Sequence, residues 1–174
     1  MAVDVLRKRV AAIAAAVAAL ALLLLLLAVL LQPAGSVQGL DGDVGVLDNR
    51  ALWDEMDPLS GTIYRLGDVL CHQKEDRSLL LNGNQLAFCA RDTGILLGFL
   101  GFALFLLRGQ TPLPWWAIIV LLLPTALDGG LQAMGLHESS NALRLITGAL
   151  TGMAVMLFLM KLMERSWEES VSEG

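Results

Sequence analysis

The feature that most constrains this chain is an unbroken apolar stretch at residues 10–31. A membrane-spanning α-helix needs about 20 consecutive, predominantly apolar residues, and this stretch reaches that length without a polar residue. Three shorter apolar runs, at residues 95–107, 114–127 and 143–160, reach it only if their helices include polar residues at one end. The composition, 56% hydrophobic over 174 residues with a mean hydropathy of +0.65, excludes an ordinary soluble domain. The sequence therefore predicts an all-α membrane protein built as a four-transmembrane-helix bundle.

The distribution of polar residues divides the chain into four parts. We expect an N-terminal transmembrane anchor at residues 1–31, an acidic extracytoplasmic loop at 32–58, a motif-bearing domain with three transmembrane helices at 59–163, and an acidic cytoplasmic tail at 164–174. The motif-bearing domain should begin with a short interfacial helix and a polar outer loop, because the apolar residues of 63–70 are too few to span a bilayer. A cleaved signal peptide is the alternative for the first segment, although its apolar run exceeds the usual length of about 7 to 15 residues.

Basic residues predict the orientation of the helices. Arg7, Lys8 and Arg9 precede the first apolar run, while Lys161 and Arg165 follow the last. Cytoplasmic segments are enriched in lysine and arginine, so both termini should be cytoplasmic in a multi-pass protein of the cell membrane. The net charge of −5 gives no basic surface for nucleic acid. The expected partners are the lipid bilayer and, because four helices make a narrow bundle, further copies of the chain.

Ionisable residues lie at a common depth in three of the expected helices. At 1.5 Å per residue, Asp92 lies about 24 Å from Arg108, Asp128 about 20 Å from Trp115, and Arg144 about 25 Å from Lys161. Charges inside a membrane are costly and mark functional sites by default. This layer and its neighbouring loops provide the candidate catalytic residues, which are Arg91, Asp92, Asp128, Gln132, Glu138, Asn141 and Arg144.

The chemistry of these residues has a functional and a structural interpretation. An arginine at 91 or 144 can bind a phosphate or carboxylate through two hydrogen bonds, and an aspartate at 92 or 128 can act as a general base or metal ligand. In the structural interpretation, the same charges neutralise one another and fix the helices in register.

The two cysteines, Cys71 and Cys89, fall on the same side of the membrane as the charged layer. In an oxidising compartment they are expected to form a disulfide. The alternatives are a metal site of Cys71, His72 and Cys89 with a carboxylate, for which zinc is the fitting ion, and free or redox-active thiols. A C-x-x-C motif, which would indicate a thiol oxidoreductase, is absent from the sequence.

Two pairs of glycines have the spacing that brings membrane helices together. Gly94 and Gly98 are four residues apart, as are Gly148 and Gly152. Small residues at this spacing let two backbones approach closely, so both pairs are predicted to be packing faces.

Two blocks of polar motifs resemble those of a family of small integral membrane proteins of unknown function found in archaea and bacteria. The first block contains Cys71-His72-Gln73, Arg77, Gly83-Asn84 and Cys89-Ala90-Arg91-Asp92-Thr93-Gly94. The second contains Pro124, Asp128-Gly129, Gln132, Gly135, Glu138-Ser139, Asn141, Leu143-Arg144 and Thr147-Gly148. The resemblance covers residues 58–155 and implies a membrane location and a set of marked positions, without implying an activity.

These observations leave three functional hypotheses open. The first is a metal-dependent enzyme with an outward-facing polar pocket, acting on a lipid-linked or polar substrate. The second is a small oligomeric transporter or channel-like subunit, because charges at depth can line an ion path. The third is a structural or assembly partner in the membrane.

Overall fold

The computed structural model describes residues 2–109 and 112–172. In chain order the elements are α1 (Ala2–Leu30), α2 (Arg50–Glu55), α3 (Pro58–Leu70), β1 (Ser78–Leu81), β2 (Asn84–Cys89), α4 (Ala90–Leu107), α5 (Trp116–Ala133) and α6 (Asn141–Ser172). One turn of 3₁₀-helix, Glu75–Arg77, precedes β1.

The predicted four-helix bundle is confirmed. Helices α1, α4, α5 and α6 are long and apolar enough to cross a membrane. Helix α4 packs between α1 and α6, and α5 packs on the other side of α6. Many of the large apolar side chains on these helices are exposed, as expected for surfaces that face lipid.

The closest helix contact is the crossing of α4 and α6, and it depends on the predicted glycine pairs. A Cβ atom at Gly98 would lie 1.9 Å from the carbonyl oxygen of Ala149, and one at Gly148 would lie 2.2 Å from that of Arg91. Gly94 and Gly152 make contacts of the same kind. Only glycine therefore allows these two backbones to approach so closely.

A β-hairpin at one end of the bundle was not predicted from the sequence. Strands β1 and β2 form an antiparallel pair joined by Asn82 and Gly83, whose φ angles of 54° and 74° match the tight turn expected at an Asn-Gly step. We call this end of the bundle the hairpin end. Because β2 runs directly into α4, the hairpin fixes the start of a membrane helix.

The segment at residues 32–58 is more ordered than its composition suggested. It contains α2, whose Trp53 is buried and stacks on Tyr64 of α3 at a ring distance of 5.0 Å. The Trp53 indole donates a hydrogen bond of 2.7 Å to the buried carboxylate of Asp68. Helix α3 corresponds to the predicted interfacial helix and is capped by Asp57, which accepts hydrogen bonds from the backbone of Leu59 and Ser60. These hydrogen bonds, chiefly those of Ser60, hold the pKa of Asp57 below its usual value.

At the end of the bundle opposite the hairpin, the start of α1 contacts the later part of α6. Arg7 of α1 forms an ion pair of 2.6 Å with Glu164 of α6, and Lys161 lies 3.3 Å from the same carboxylate. Helix α6 continues to Ser172, so most of the predicted acidic tail is helical.

Candidate functional site

Two thiols and a carboxylate meet at the hairpin end. Cys71 follows the last residue of α3, Cys89 is the last residue of β2, and Asp92 lies in the first turn of α4. One ligand atom from each residue lies within 4.8 Å of the other two. The Cys89 thiol donates a hydrogen bond of 3.0 Å to the Asp92 carboxylate. We call Cys71, Cys89 and Asp92 the thiol–carboxylate cluster.

The two thiols have different electrostatic environments. The interaction with the Cys89 side chain is the main cause that lowers the pKa of the Cys71 thiol. The same interaction, burial and the negative charge of Asp92 raise the pKa of Cys89. Both cysteines are free thiols in this structure, and their pairing as a disulfide stays a prediction.

A small pocket lined by basic side chains borders this cluster. Its volume is about 190 Å³, and Lys74, Arg77, Arg91 and Arg144 contribute four positive charges to its lining. Cys71 and Cys89 lie in the same wall, together with His72 and Gln132. No carboxylate among the described residues lines this pocket. We call it the basic pocket.

Arg91 is held by an ion pair with a buried partner. Its guanidinium lies 2.5 Å from the carboxylate of Asp128, which is 6% exposed. His137 lies 3.8 Å from the other oxygen of that carboxylate. A buried carboxylate is stable when a positive charge compensates it, so Asp128 fixes the position of Arg91.

Arg144 joins the start of α6 to the loop before the hairpin. Its guanidinium donates to the backbone oxygen of Asp76 at 3.1 Å and to the side chain of Asn141 at 3.0 Å. Asn141 in turn donates to the backbone oxygen of Ser78. Arg144 is 4% exposed, and within residues 2–109 and 112–172 no ion pair involves it. Its hydrogen-bond partners are therefore neutral, and the negative charge of Asp76 acts on it without a direct ion pair.

Three buried polar residues, of which Gln73 and Asn84 belong to the motif blocks, have a structural role. Gln73 donates to the carbonyls of Tyr64 and Ala87, and Gln85 donates to the carbonyl of Gln73. Asn84 accepts from the backbone of Val37 and donates to carbonyls at the end of α1. All three are fully buried, so they connect the hairpin to the surrounding loops and do not face the basic pocket.

The structure assembles most, but not all, of the predicted site. Six predicted residues line the basic pocket, namely Cys71, His72, Cys89, Arg91, Gln132 and Arg144. Asp92 provides the carboxylate of the thiol–carboxylate cluster, whereas His72, the remaining predicted metal ligand, is exposed and is not part of this cluster. Asp128 and Asn141 act through the arginines that they contact, and Glu138 is exposed outside the pocket lining.

Two pocket residues, Lys74 and Arg77, were not among the predicted site residues. They lie on and beside the single 3₁₀ turn that leads into β1. In the sequence, their position within a few residues of Cys71 could have indicated a role in the site. The segment that contains them otherwise has the composition of a solvated charged loop.

The fold and the site define a membrane protein with four apolar helices and a polar, cysteine-containing site at one end of the bundle. The chain belongs to the family described as "Predicted membrane protein (DUF2085)", which matches residues 71–158. This confirms the resemblance inferred from the motifs. The matched range begins at Cys71 and includes every residue of the basic pocket.

Two archaeal proteins illustrate this relationship. An uncharacterized protein of Methanocaldococcus jannaschii is 35% identical over 107 residues, which cover 59% of this chain and 69% of that protein. An uncharacterized protein of Methanothermobacter thermautotrophicus is 39% identical over 99 residues, covering 53% of this chain and 87% of the relative. No solved structure matches this chain.

Proposed function

We propose that this protein is a metal-dependent membrane enzyme whose metal ion is bound by Cys71, Cys89 and Asp92, and that it acts on a polar or lipid-linked substrate. One observation carries the proposal. Three potential metal ligands lie within 4.8 Å of one another, and two of them also line the basic pocket. A metal ion at this position would therefore be in contact with whatever the pocket holds.

Zinc is the metal that best fits these ligands. Thiolates favour zinc over magnesium or calcium, and a carboxylate oxygen is an accepted third ligand. Catalytic zinc sites typically have three protein ligands and keep the fourth position for water or substrate. When bound, zinc would act as a Lewis acid on a substrate oxygen and lower the pKa of a bound water molecule.

The remaining site residues have roles that follow from their contacts. Arg91 and Arg144 would bind the negatively charged part of the substrate, because both line the basic pocket. Asp128 would keep Arg91 in place, and Asn141 would do the same for Arg144. Gln132 would provide a neutral hydrogen-bonding group in the pocket wall.

Metal content tests the proposal. The protein purified in mild detergent should contain about one zinc ion per chain by elemental mass spectrometry, since the cluster offers one set of ligands. Cys71→Ser and Asp92→Asn should each remove most of that zinc. Asp54→Asn is the matched control, because Asp54 pairs with Arg65 on the protein surface and should not affect the metal.

The same samples show whether the cysteines form a disulfide instead. After denaturation with a chelator and an alkylating agent, without reductant, the intact mass should increase by two alkyl groups. A mass without alkyl groups that fits a Cys71–Cys89 disulfide would overturn the metal site.

We also propose that the hairpin end faces the outside of the cell and both termini face the cytoplasm. The basic residues Arg7, Lys8 and Arg9 at the other end support this orientation. An epitope inserted after the exposed Val46 should react with antibody in intact spheroplasts. A C-terminal epitope should react only after permeabilisation. The reverse pattern would contradict the orientation.

A further inference from the structure

An apolar groove opens beside the thiol–carboxylate cluster. Its volume is about 490 Å³, and it runs between α1, α3 and α4. The walls are formed by aliphatic side chains, including Leu24, Leu25, Ile63, Leu66 and Leu96. Asp92 is the charged residue among those that line it. A groove with such apolar walls is suited to a hydrocarbon chain.

The groove and the basic pocket are lined by residues that are adjacent in the chain. Leu70 and Phe88 line the groove, and the residues that follow them, Cys71 and Cys89, line the basic pocket. Asp92 reaches the groove and is hydrogen-bonded to Cys89. An apolar site and a positively charged site therefore lie on either side of the proposed metal position.

The basic pocket contains hydrogen-bond donors that are available to an anion. Buried Nε atoms of Arg77 and Arg91 have no hydrogen-bond partner within the described part of the chain. Arg144 is buried, and its hydrogen bonds go to the backbone oxygen of Asp76 and the side chain of Asn141, both neutral groups. Buried donors and charges without partners are costly, so an anion that accepted these hydrogen bonds would be strongly favoured.

We propose that the substrate is a lipid that carries a phosphate group, with the phosphate in the basic pocket and the hydrocarbon chain in the apolar groove. This inference rests on the proposed function, since the lipid would be the substrate of that site. Three of the four basic side chains also pair with an aspartate outside the pocket lining, namely Lys74, Arg77 and Arg91. Together the four still offer more hydrogen-bond donors than a single carboxylate accepts, and they match the several acceptor oxygens of a phosphate. The groove selects a lipid over a soluble phosphorylated molecule, because a soluble molecule would leave the groove without an occupant.

Binding of two fluorescent lipids with identical chains tests this inference. The full-length protein in detergent micelles is titrated with phosphatidic acid and with diacylglycerol, which lacks the phosphate. We expect the Kd for phosphatidic acid to be roughly tenfold lower or better, as charge-assisted hydrogen bonds to phosphate are made only by the first lipid. Equal Kd values for the two lipids would overturn the phosphate assignment.

Variants of the basic pocket locate the phosphate. Arg77→Gln should remove most of the difference in Kd between the two lipids, and Lys74→Gln, at a second residue of the pocket lining, should reduce it. Arg50→Gln removes one positive charge from an exposed residue outside the pocket and should leave the difference unchanged. If Arg50→Gln lowered the difference in Kd as much as the pocket variants do, the electrostatic attraction of phosphatidic acid would be nonspecific. The assignment of the phosphate to the basic pocket would then be wrong.

A pair of variants in α1 tests the groove. Ala21 lines the groove, whereas Ala19 is exposed on the same helix and does not line it. Ala21→Phe should weaken the binding of both lipids several-fold, and Ala19→Phe should not. Equal effects of Ala21→Phe and Ala19→Phe on lipid binding would overturn the lipid assignment. The same conclusion would follow if inorganic phosphate displaced phosphatidic acid with an equal affinity.

The zinc content of each sample separates this inference from the proposed function. Lipid binding that follows these expectations in protein without zinc would support the phosphate-lipid site and count against the metal-dependent enzyme. Zinc bound as proposed, with no preference for phosphatidic acid, would retain the metal site and overturn the lipid substrate.

Discussion

At the scale of single residues, the site depends on buried charges that have specific partners. Asp128 is buried, and one of its oxygens is bonded to Arg91. Its other oxygen, with His137 at 3.8 Å, is buried without a hydrogen bond among the described residues. Loss of the negative charge would leave the Arg91 guanidinium facing the basic pocket without compensation.

We therefore predict that Asp128→Asn lowers the free energy of unfolding by about 1–3 kcal/mol, the usual cost of removing one partner of a buried polar pair. Denaturant unfolding in detergent, followed by helical circular dichroism, measures the change. Asp54→Asn breaks an exposed pair with Arg65 and should cost less than about 1 kcal/mol. Equal losses in the two variants would show that the Arg91–Asp128 pair is no stronger than a surface pair.

The charged residues of the site could be predicted because the cost of placing charge in a membrane does not depend on details of the fold. Arg91, Asp92, Asp128 and Arg144 interrupt or border apolar runs, which is visible in any sequence of this kind. The pairings were harder to predict. Arg91 contacts Asp128, 37 residues later, and this choice depends on how α4 and α5 are placed around α6.

At the scale of secondary structure, the membrane helices were predictable and the hairpin was not. Hydropathy is a local property, so the four apolar runs predicted four helices directly. Strands β1 and β2, with the sequences Ser-Leu-Leu-Leu and Asn-Gln-Leu-Ala-Phe-Cys, do not alternate polar and apolar residues, so they lack the pattern typical of a strand. This hairpin is what places Cys89 next to Cys71, so the composition of the thiol–carboxylate cluster could not be derived from spacing alone.

The crossing of α4 and α6 gives an element-scale prediction. Gly98→Ala places a Cβ atom 1.9 Å from the Ala149 carbonyl oxygen, so the helices must separate or shift. We expect a loss of about 1–3 kcal/mol in unfolding free energy, typical of overpacking.

Gly101→Ala is the matched control for this change, because a Cβ atom there meets nothing within 4 Å. It lies on the same helix and should be neutral or slightly stabilising, since alanine favours a helix over glycine. Thermal unfolding of both variants in the same detergent compares them. A stable Gly98→Ala protein would contradict the close packing of α4 on α6.

At the scale of the whole molecule, the start of α1 contacts the later part of α6. Arg7 and Glu164 are separated by 157 residues and pair at the end opposite the hairpin. Their side chains are 29% and 11% exposed. Partial burial should make this pair stronger than a surface ion pair.

A double-mutant cycle measures the coupling between these two side chains. With Arg7→Gln and Glu164→Gln, we expect a coupling energy of about 0.5–3 kcal/mol, as for residues in direct contact. The exposed pair of Arg165 and Glu169 on α6 is the control, with an expected coupling of about 0.3–0.5 kcal/mol. A coupling near zero for Arg7 and Glu164 would contradict the contact between the two helix ends.

The contacts of Asn84 have a consequence for how the chain assembles during synthesis. Its amide group lies within hydrogen-bonding distance of the carbonyl oxygens of Val29, in the last turn of α1, and of Gln32 and Pro33, just after that helix. The end of the first membrane helix is therefore bound by a residue 51 to 55 positions later. While the ribosome adds the intervening residues, these carbonyls have no partner from the hairpin. The hydrogen bonds between this end of α1 and Asn84 can therefore form only after the hairpin has been synthesised.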